Sequence, residues 1–383
     1  NMPAMNQTSV WEKETFFAHK DIIIAGSGLV GLWSAYYLKK AAPAARILIL
    51  ERGIIPTGAS TRNAGFACIG SATELLADAR KIGEQGMLDI VAMRYEGLQR
   101  IKKTFSNKEI DFERNGGYEL IAGTQYTRPK QLKNDLGWLN IILRKAIKDQ
   151  KTFRIADKKI KDFGFKKTTH LVESRMEAQL HSGKLLQALL RKVQSMGVLV
   201  ITQAEVKGYE KVNGRLLIQT NLAQAFTCSQ LLVCTNGFAK TLLPTVDVQP
   251  VRGQVLVTSP IKKLRFKGAF HFDEGYYYFR NLSNNRVLLG GARNSSFSTE
   301  NTAEMQTTDV IQGELERFLR EVVLPKQAFT IEHRWSGIMG MGSDKMPIIK
   351  RIEKNVYCAV RMSGMGVALS PVVGDIVARQ MLQ

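Results

Sequence analysis

The segment Asp21 to Leu38, DIIIAGSGLVGLWSAYYL, constrains this chain more than any other. Ile22, Ile23, Ile24 and Ala25 form a short apolar run of the kind buried inside a parallel sheet. Gly26-Ser27-Gly28-Leu29-Val30-Gly31 follows, a G-x-G-x-x-G, with Leu29, Leu32, Trp33, Tyr36 and Tyr37 near helical spacing. Pro43 ends the helix. Ile47 to Leu50 reads as a second buried strand, and Glu51 stands at its end, 20 residues after Gly31. A lone glycine motif is a weak signal, but strand, turn, helix, strand and acid in this order open a nucleotide-binding βαβ unit.

Each glycine has a job. Gly26 allows the tight turn, Gly28 lets a pyrophosphate approach the backbone, and Gly31 lets helix and strand pack closely. The free N–H groups and partial positive charge of the helix start favour an anion. Glu51 can accept hydrogen bonds from a ribose diol, and its charge argues against the 2′-phosphate of NADP. Residues 52–70 are rich in Gly, Ala, Ser and Thr, with little bulk before Phe66. Such a stretch can run as close-approach backbone past a flat ligand. Ser71-x-x-Glu74 then reads as a capping box opening a helix through about Arg80.

At 383 residues the chain holds about two domains. Its 44% hydrophobic and 23% charged residues exclude a disordered chain, a collagen-like repeat and a disulfide-rich scaffold. The formal net charge of +20 admits nucleic acid, an anionic membrane or an acidic substrate as partner. Residues 128–167 carry thirteen Lys and Arg against four Asp, a net +9. A solvated surface is the expectation for that block. Contact with anionic lipid stays open, and nucleic acid is disfavoured because stacking aromatics are few.

Cys68, Cys228, Cys234 and Cys358 show no C-x-x-C spacing, so they read as buried apolar residues in a reducing compartment. The histidines at 19, 170, 181, 271 and 333 are scattered and read as satisfied or solvent-facing; no metal site is expected. The first 20 residues contain no apolar signal region, and no apolar run reaches the roughly 20 residues of a membrane span. A cytoplasmic location is expected, with peripheral membrane contact left open.

Further along, Tyr118 to Ile121 reads as a strand, residues 131–148 as an amphipathic helix, and Leu180 to Met196 as a helix capped by Gly197. Val198 to Ile201 reads as a buried strand. Pro250 to Thr258, Gly275 to Arg280 and Arg286 to Gly290 read as strands, the last two joined by an Asn284-Asn285 turn.

Five motifs together carry a resemblance: DIIIAGSGLVG at 21–31, ERG at 51–53, GASTRNAGF at 58–66, LLVCTNG at 231–237 and MSGMGVALSPVVGDIVA at 362–378. With these the chain resembles the flavin-dependent amine and amino-acid oxidoreductases of the D-amino-acid oxidase superfamily, such as glycine oxidase, sarcosine oxidase and gamma-glutamylputrescine oxidase. The resemblance spans nearly the whole chain and does not specify a substrate. It implies an α/β fold with an α+β substrate part: a Rossmann-type FAD-binding domain interleaved with a second domain on a large, mainly antiparallel sheet. The FAD domain would take residues 1–80, 168–245 and 334–383, the substrate domain 81–167 and 246–333, with the active site between them.

The resemblance also implies roles. Gly26, Ser27, Gly28 and Gly31 would hold the FAD pyrophosphate, and Glu51 and Arg52 the adenosine ribose. Ser60, Thr61, Arg62, Ala64, Gly65 and Phe66 would line the ribityl chain and flavin ring. The Val206 backbone would meet the adenine, and Thr235 and Gly237 would lie beside the pyrophosphate. Gly364, Met365, Gly366 and Val367 would start a helix aimed at the flavin's pyrimidine edge, with Pro371 in its first turn. FAD would be non-covalent, since the cysteine that tethers flavin in sarcosine oxidase-like enzymes has no counterpart between Cys234 and Cys358.

The implied reaction moves a hydride from the carbon bearing nitrogen to flavin N5, leaving an imine that water hydrolyses. The flavin performs the difficult step, so no catalytic side chain is named. Tyr276, Tyr278 and Met339 are the substrate-side positions. Met339 stands where glycine oxidase-like sequences carry a carboxylate-binding arginine, and Gly364 near a second. Arg280, Arg293 and Arg361 are close in sequence but off the matching positions. This puts a simple amino acid in doubt, and the Trp-Gly…Pro frame of 335–347, which resembles the gamma-glutamylputrescine oxidase-like branch, leans the substrate toward an amine, with oxygen or a quinone as electron acceptor. The rival reading is a basic nucleotide- or lipid-binding protein on a catalytically silent fold.

Overall fold

The computed structural model describes residues 8–123, 126, 130–148 and 151–383. The chain divides into two units. The first holds residues 1–61, 183–250 and 339–383; the second holds 62–182 and 251–338.

The first unit is built on strand Lys20–Ala25, whose apolar run is flanked by parallel strands on both sides. Ile24 pairs with Leu232 of strand Phe226–Val233 and with Ile49 of strand Ile47–Leu50. The path across the sheet is 348–353, 356–360, 226–233, 20–25, 47–50 and 199–201, with the hairpin 206–212/215–220 attached to 226–233. Ile23, Leu48 and Leu231 are fully buried, as strands covered on both faces require. Helix Leu29–Ala41 packs against the C-terminal helix Gly366–Met381 at close range. A Cβ on Gly374 would lie 2.8 Å from the Ser34 nitrogen. Strand Leu199–Ile201 is half-buried, not buried as read from sequence, because it is an edge that pairs only with 47–50.

The second unit holds an eight-stranded sheet in the order 331–341, 249–258, 287–291, 277–281, 269–272, 117–121, 170–174 and 153–155. From 249–258 onward the pairs are antiparallel except 269–272 with 117–121. Its core is aromatic: Phe270 and Phe279 stack at 4.7 Å, with Phe165, Phe266 and Phe318 packed around them. A two-stranded ribbon pairs Phe66–Ala67 with Ala178–Gln179.

The breaks between units fall after residues 61, 182, 250 and 338, where the sequence suggested 80, 167, 245 and 333. Pairing explains the shift. His170–Ser174 ladders onto Gly117–Ile121, and Phe66–Ala67 onto Ala178–Gln179, so both segments join the second unit. The helix opened by Ser71 breaks at Gly83 (φ +81°), close to the stop read near Arg80, and a second helical stretch continues to Thr104. Two other helices differ from the pattern. The helix read over 131–148 is helical over Gln131–Ile142 and tightens into a 3₁₀ turn at Leu143–Lys145. The C-terminal helix begins at Gly366, so Pro371 is its sixth residue, past the first turn. Proline offers no N–H to the Val367 carbonyl; the Ser370 hydroxyl lies 3.4 Å from it and donates instead.

Part of the basic block is engaged in ion pairs. Lys145 pairs with Glu84, Lys167 with Glu321, and both Arg154 and Lys159 with Glu173. Arg128 and Asp149 of that block lie outside the described residues. Among the described residues no helix is long and apolar enough to cross a membrane.

Candidate cofactor-binding site

In the first unit, the glycine turn sits at the carboxyl ends of three adjacent parallel strands. Gly26 N–H donates to the Leu50 carbonyl at 2.9 Å, and Cys234 N–H to the Ala25 carbonyl at 2.9 Å. This is the strand-end crevice where open α/β sheets take their ligands. Gly26 adopts φ +103°. A Cβ on Gly31 would lie 2.1 Å from the Gly26 carbonyl oxygen, so only glycine lets the helix sit this close.

Glu51 is buried, and its carboxylate ties the turn together. It accepts from Ser27 N–H at 3.1 Å, Ser27 hydroxyl at 2.7 Å and Gly53 N–H at 2.9 Å. Ala204 N–H reaches the Glu51 carbonyl at 2.8 Å, which brings Val206 to the same strand end. Ser60 hydroxyl accepts from Leu29 N–H at 2.9 Å, at the helix start. Thr235 Oγ1 is buried without a partner among the described residues. Next to close-approach backbone, that orphaned hydroxyl fits a polar ligand seated on the turn. Arg52 is exposed, its guanidinium 3.8 Å above the Phe238 ring. Thr61 donates to the Pro56 carbonyl at 2.6 Å, a local turn contact.

The segment 361–364 of the same unit is wound through unusual backbone. Arg361, Ser363 and Gly364 have φ of +65°, +49° and +79°. Asn236 Oδ1 fixes it by accepting from Arg361 and Met362 N–H at 3.1 and 3.2 Å. Helix Gly366–Met381 follows directly, with no side chain capping its start, so its first N–H groups are the kind of donor set that favours an anion. Met339 lies beside Gly364: a Cβ there would be 3.5 Å from the Met339 sulfur. Gly237 and Asn236 abut Gly340. Residues 236–237, 339–340 and 364 are thus gathered together.

In the second unit, residues 62–66 are held by distant groups. Arg62 donates to the Ser336 carbonyl at 2.9 Å, and Trp335 Nε1 donates to the Arg62 carbonyl at 3.0 Å. Asn63 Oδ1 accepts from Gly65 N–H at 2.9 Å and Ser182 hydroxyl at 2.6 Å. Arg280 Nη1 donates to the carbonyls of Gly65 (2.9 Å), Leu180 (2.7 Å) and Ala64 (3.3 Å). Burial pulls the Arg280 guanidinium down to about 10, still charged at neutral pH.

Phe66 meets the edges of two rings, His271 at 5.2 Å and Tyr278 at 5.9 Å. Burial pushes the Tyr278 phenol up to about 12. Tyr276 precedes strand Tyr277–Asn281 and keeps other company: Phe297 at 5.8 Å, with the Arg293 guanidinium 5.4 Å from the Tyr276 ring and 5.2 Å from Phe297. The two tyrosines therefore contact different side chains. Of the three arginines close in sequence to the substrate-side positions, Arg280 is spent on carbonyls. Arg361 is spent on Asp247 and Asp344 at 2.7 and 2.8 Å.

One constellation escaped the sequence. Cys68, Glu177 and His271 are all buried and mutually close, with His271 Nε2 3.2 Å from Glu177 Oε2. Burial alone would lower His271, but Glu177 and Cys68 overrule it and hold it well above the usual imidazole range. The histidine is satisfied, as expected, and all four cysteines are buried and free. No spacing pattern betrays the cluster, because His271 and Glu177 stand 94 residues apart.

The comparisons with known proteins agree with this geometry. The family described as FAD dependent oxidoreductase matches residues 21–380. The probable oxidoreductase OrdL of Haemophilus influenzae is 23% identical over 398 residues, covering 98% of this chain and 86% of its own. L-proline dehydrogenase from P. horikoshii shares the fold with a TM-score of 0.76 at 17% identity, covering 95% of this chain and 93% of that one. Glycine oxidase from Geobacillus kaustophilus does so with a TM-score of 0.74 at 18% identity, covering 95% of both. The chain belongs to the FAD dependent oxidoreductase family, and its cofactor is FAD.

Proposed function

We propose that this chain oxidises the C–N bond of a small amine or amino acid, with amines the better substrates. When bound, FAD would supply the two-electron acceptor for this oxidation, whose imine product water would hydrolyse. The rest is the work of the chain's own residues.

Gly26, Ser27, Gly28 and Gly31 present backbone to the pyrophosphate, with the helix start at Leu29 favouring its charge. Glu51 keeps that turn in shape and offers its carboxylate to the adenosine ribose, with Arg52 beside it. The Val206 backbone meets the adenine, and Thr235 and Gly237 flank the pyrophosphate. Ser60, Thr61, Arg62, Ala64, Gly65 and Phe66 line the ribityl chain and flavin ring. Gly364, Met365, Gly366 and Val367 would lie at the pyrimidine edge, where the free N–H groups of the helix start and its dipole would favour negative charge, the Met365 N–H itself being taken by the Met362 carbonyl. Cofactor binding is non-covalent in this reading. Tyr276, Tyr278 and Met339 face the substrate.

The observation that carries the preference for amines is the commitment of Arg280 and Arg361 to internal partners. Of the three arginines near the family's carboxylate-binding positions, that leaves Arg293, stacked on aromatic rings. A buried planar fork aimed at two oxygens is what a carboxylate substrate asks for. Support for C–N chemistry comes from the neighbours, a proline dehydrogenase and a glycine oxidase.

The test is anaerobic bleaching of the bound flavin by a panel of amines, N-methyl amino acids and D- and L-amino acids. Amines should bleach it faster than glycine or D-alanine. A flavin bleached by no member of the panel would overturn the reading. Reoxidation by air against a soluble quinone then distinguishes an oxidase from a dehydrogenase.

A further inference from the structure

We propose that Cys68, Glu177 and His271 form a binding site for one divalent cation of the zinc class. The three donor atoms lie within 4.8 Å of one another. Their residues are 8%, 2% and 6% exposed. They come from ordered elements: Cys68 directly follows strand Phe66–Ala67, Glu177 directly precedes its partner Ala178–Gln179, and His271 lies in strand Ala269–Phe272. Ligands held this way need little reorganisation on binding.

The second observation concerns Glu177. Its Oε2 contacts His271, but its Oε1 is buried with no hydrogen-bond partner among the described residues. A buried carboxylate oxygen left unpaired is costly, and a cation at the centre of the cluster would satisfy it. Room is made for this carboxylate: a Cβ on Gly117 would lie 2.1 Å from Glu177 Oε2.

Geometry and chemistry agree. Tetrahedral zinc with bonds of roughly 2.0–2.3 Å sets its ligand atoms about 3.3–3.8 Å apart. The His271–Glu177 separation of 3.2 Å is near that range. A mixed sulfur, nitrogen and oxygen set selects a borderline-soft ion over magnesium or calcium. Thiolate and carboxylate together neutralise a divalent charge. Arg94 Nη2 donates to Cys68 Sγ at 3.1 Å, Nε donates to the Cys68 carbonyl at 3.1 Å, and Glu74 balances the guanidinium at 3.0 Å. Arg94 therefore acts as an outer donor to the thiolate and adds no uncompensated charge. Binding releases the thiol proton and the proton shared by His271 and Glu177 to solvent. Three protein ligands leave a fourth position for water or a small ligand.

The experiment uses the FAD-loaded protein, incubated with zinc salt and desalted. Metal content is read by plasma mass spectrometry and the ligand shell by X-ray absorption at the zinc edge. The expected result is one zinc per chain, with one sulfur and the remaining ligands nitrogen or oxygen. Cys68→Ser and Glu177→Gln should each lose stoichiometric zinc, while Cys358→Ser should retain it. A zinc content near zero in the wild type would overturn the proposal and leave the cluster a His–Glu ion pair beside a thiol. So would a shell without sulfur. The wild-type reading stands by itself if a buried variant fails to fold.

Discussion

The Arg280 guanidinium donates from Nη1 to the carbonyl of Gly65 at 2.9 Å, across 215 residues of sequence. The same nitrogen reaches Ala64 and Leu180, so one buried cation fixes the backbone proposed to line the flavin. Arg280→Met removes all three donations, leaving the Gly65 carbonyl only its bond from Leu180 N–H. Hydrogen bonds from a charged donor contribute roughly 1.5–3 kcal/mol each, so the loss of several should cost about 3 kcal/mol or more of stability. Arg280→Lys keeps the charge but not the fork and should fall between. Chemical denaturation of the FAD-free protein, with FAD affinity measured alongside, checks both; a Met variant as stable as wild type would refute the clamp.

Glu51 holds the glycine turn through two contacts to Ser27 and one to Gly53. Glutamine offers one acceptor oxygen for these donors and none of the charge. Glu51→Gln should weaken FAD roughly 10- to 100-fold, the equivalent of one charged hydrogen bond. Fluorescence titration of the apoprotein with FAD measures it.

Gly31 tests close packing at the same turn. The alanine methyl would lie 2.1 Å from the Gly26 carbonyl oxygen, with backbone as the obstacle. Gly31→Ala should lose FAD retention through gel filtration. Gly58→Ala, where no atom lies within 4 Å of the added Cβ, should keep it.

Glu173 supplies a pH test of the basic block. Burial alone would raise its carboxyl, but Arg154 and Lys159 overrule this and hold it below its ordinary 4.5. A carboxylate lowered in the native state stabilises above its unfolded value, and that stability is lost as pH falls through the native value. The Tm gap between wild type and Glu173→Gln should be widest above pH 4.5 and should close in stronger acid. A gap unchanged with pH would mean that the two cations, Arg154 exposed and Lys159 half-buried, contribute nothing here.

What could be read from the sequence was local in the chain. The strand, glycine turn, helix and Glu51 lie within some thirty residues, and their physics is steric and short-range. The turn at Asn284-Asn285 was legible for the same reason, both residues adopting positive φ. What escaped depends on closure over long separations. Nothing near Arg280 announces that its partners are Ala64, Gly65 and Leu180. Nothing near Cys68 announces Glu177 and His271. The junctions moved because strand pairing of 170–174 with 117–121, not composition, decides which unit a segment joins. Pro371 misled because proline suits a first turn by preference, while a helix starting at Gly366 tolerates it where Ser370 supplies a replacement donor.

In the proposed function, Arg293 is the arginine that would meet a substrate carboxylate. Its guanidinium stacks on Tyr276 and Phe297, and no salt bridge to it occurs among the described residues. Arg280 and Arg361 are already committed, so a carboxylate near Tyr276 would find its guanidinium here. Arg293→Gln keeps a polar side chain but shortens it and removes the charge and the fork. It should raise KM for any carboxylate-bearing substrate roughly 10- to 100-fold, the worth of one charge-assisted contact, while amine substrates keep their KM within about twofold. Single-turnover bleaching under anaerobic conditions separates this binding effect from hydride transfer. A variant that slows amines and amino acids alike would show that Arg293 shapes the Tyr276 surface and does not select charge.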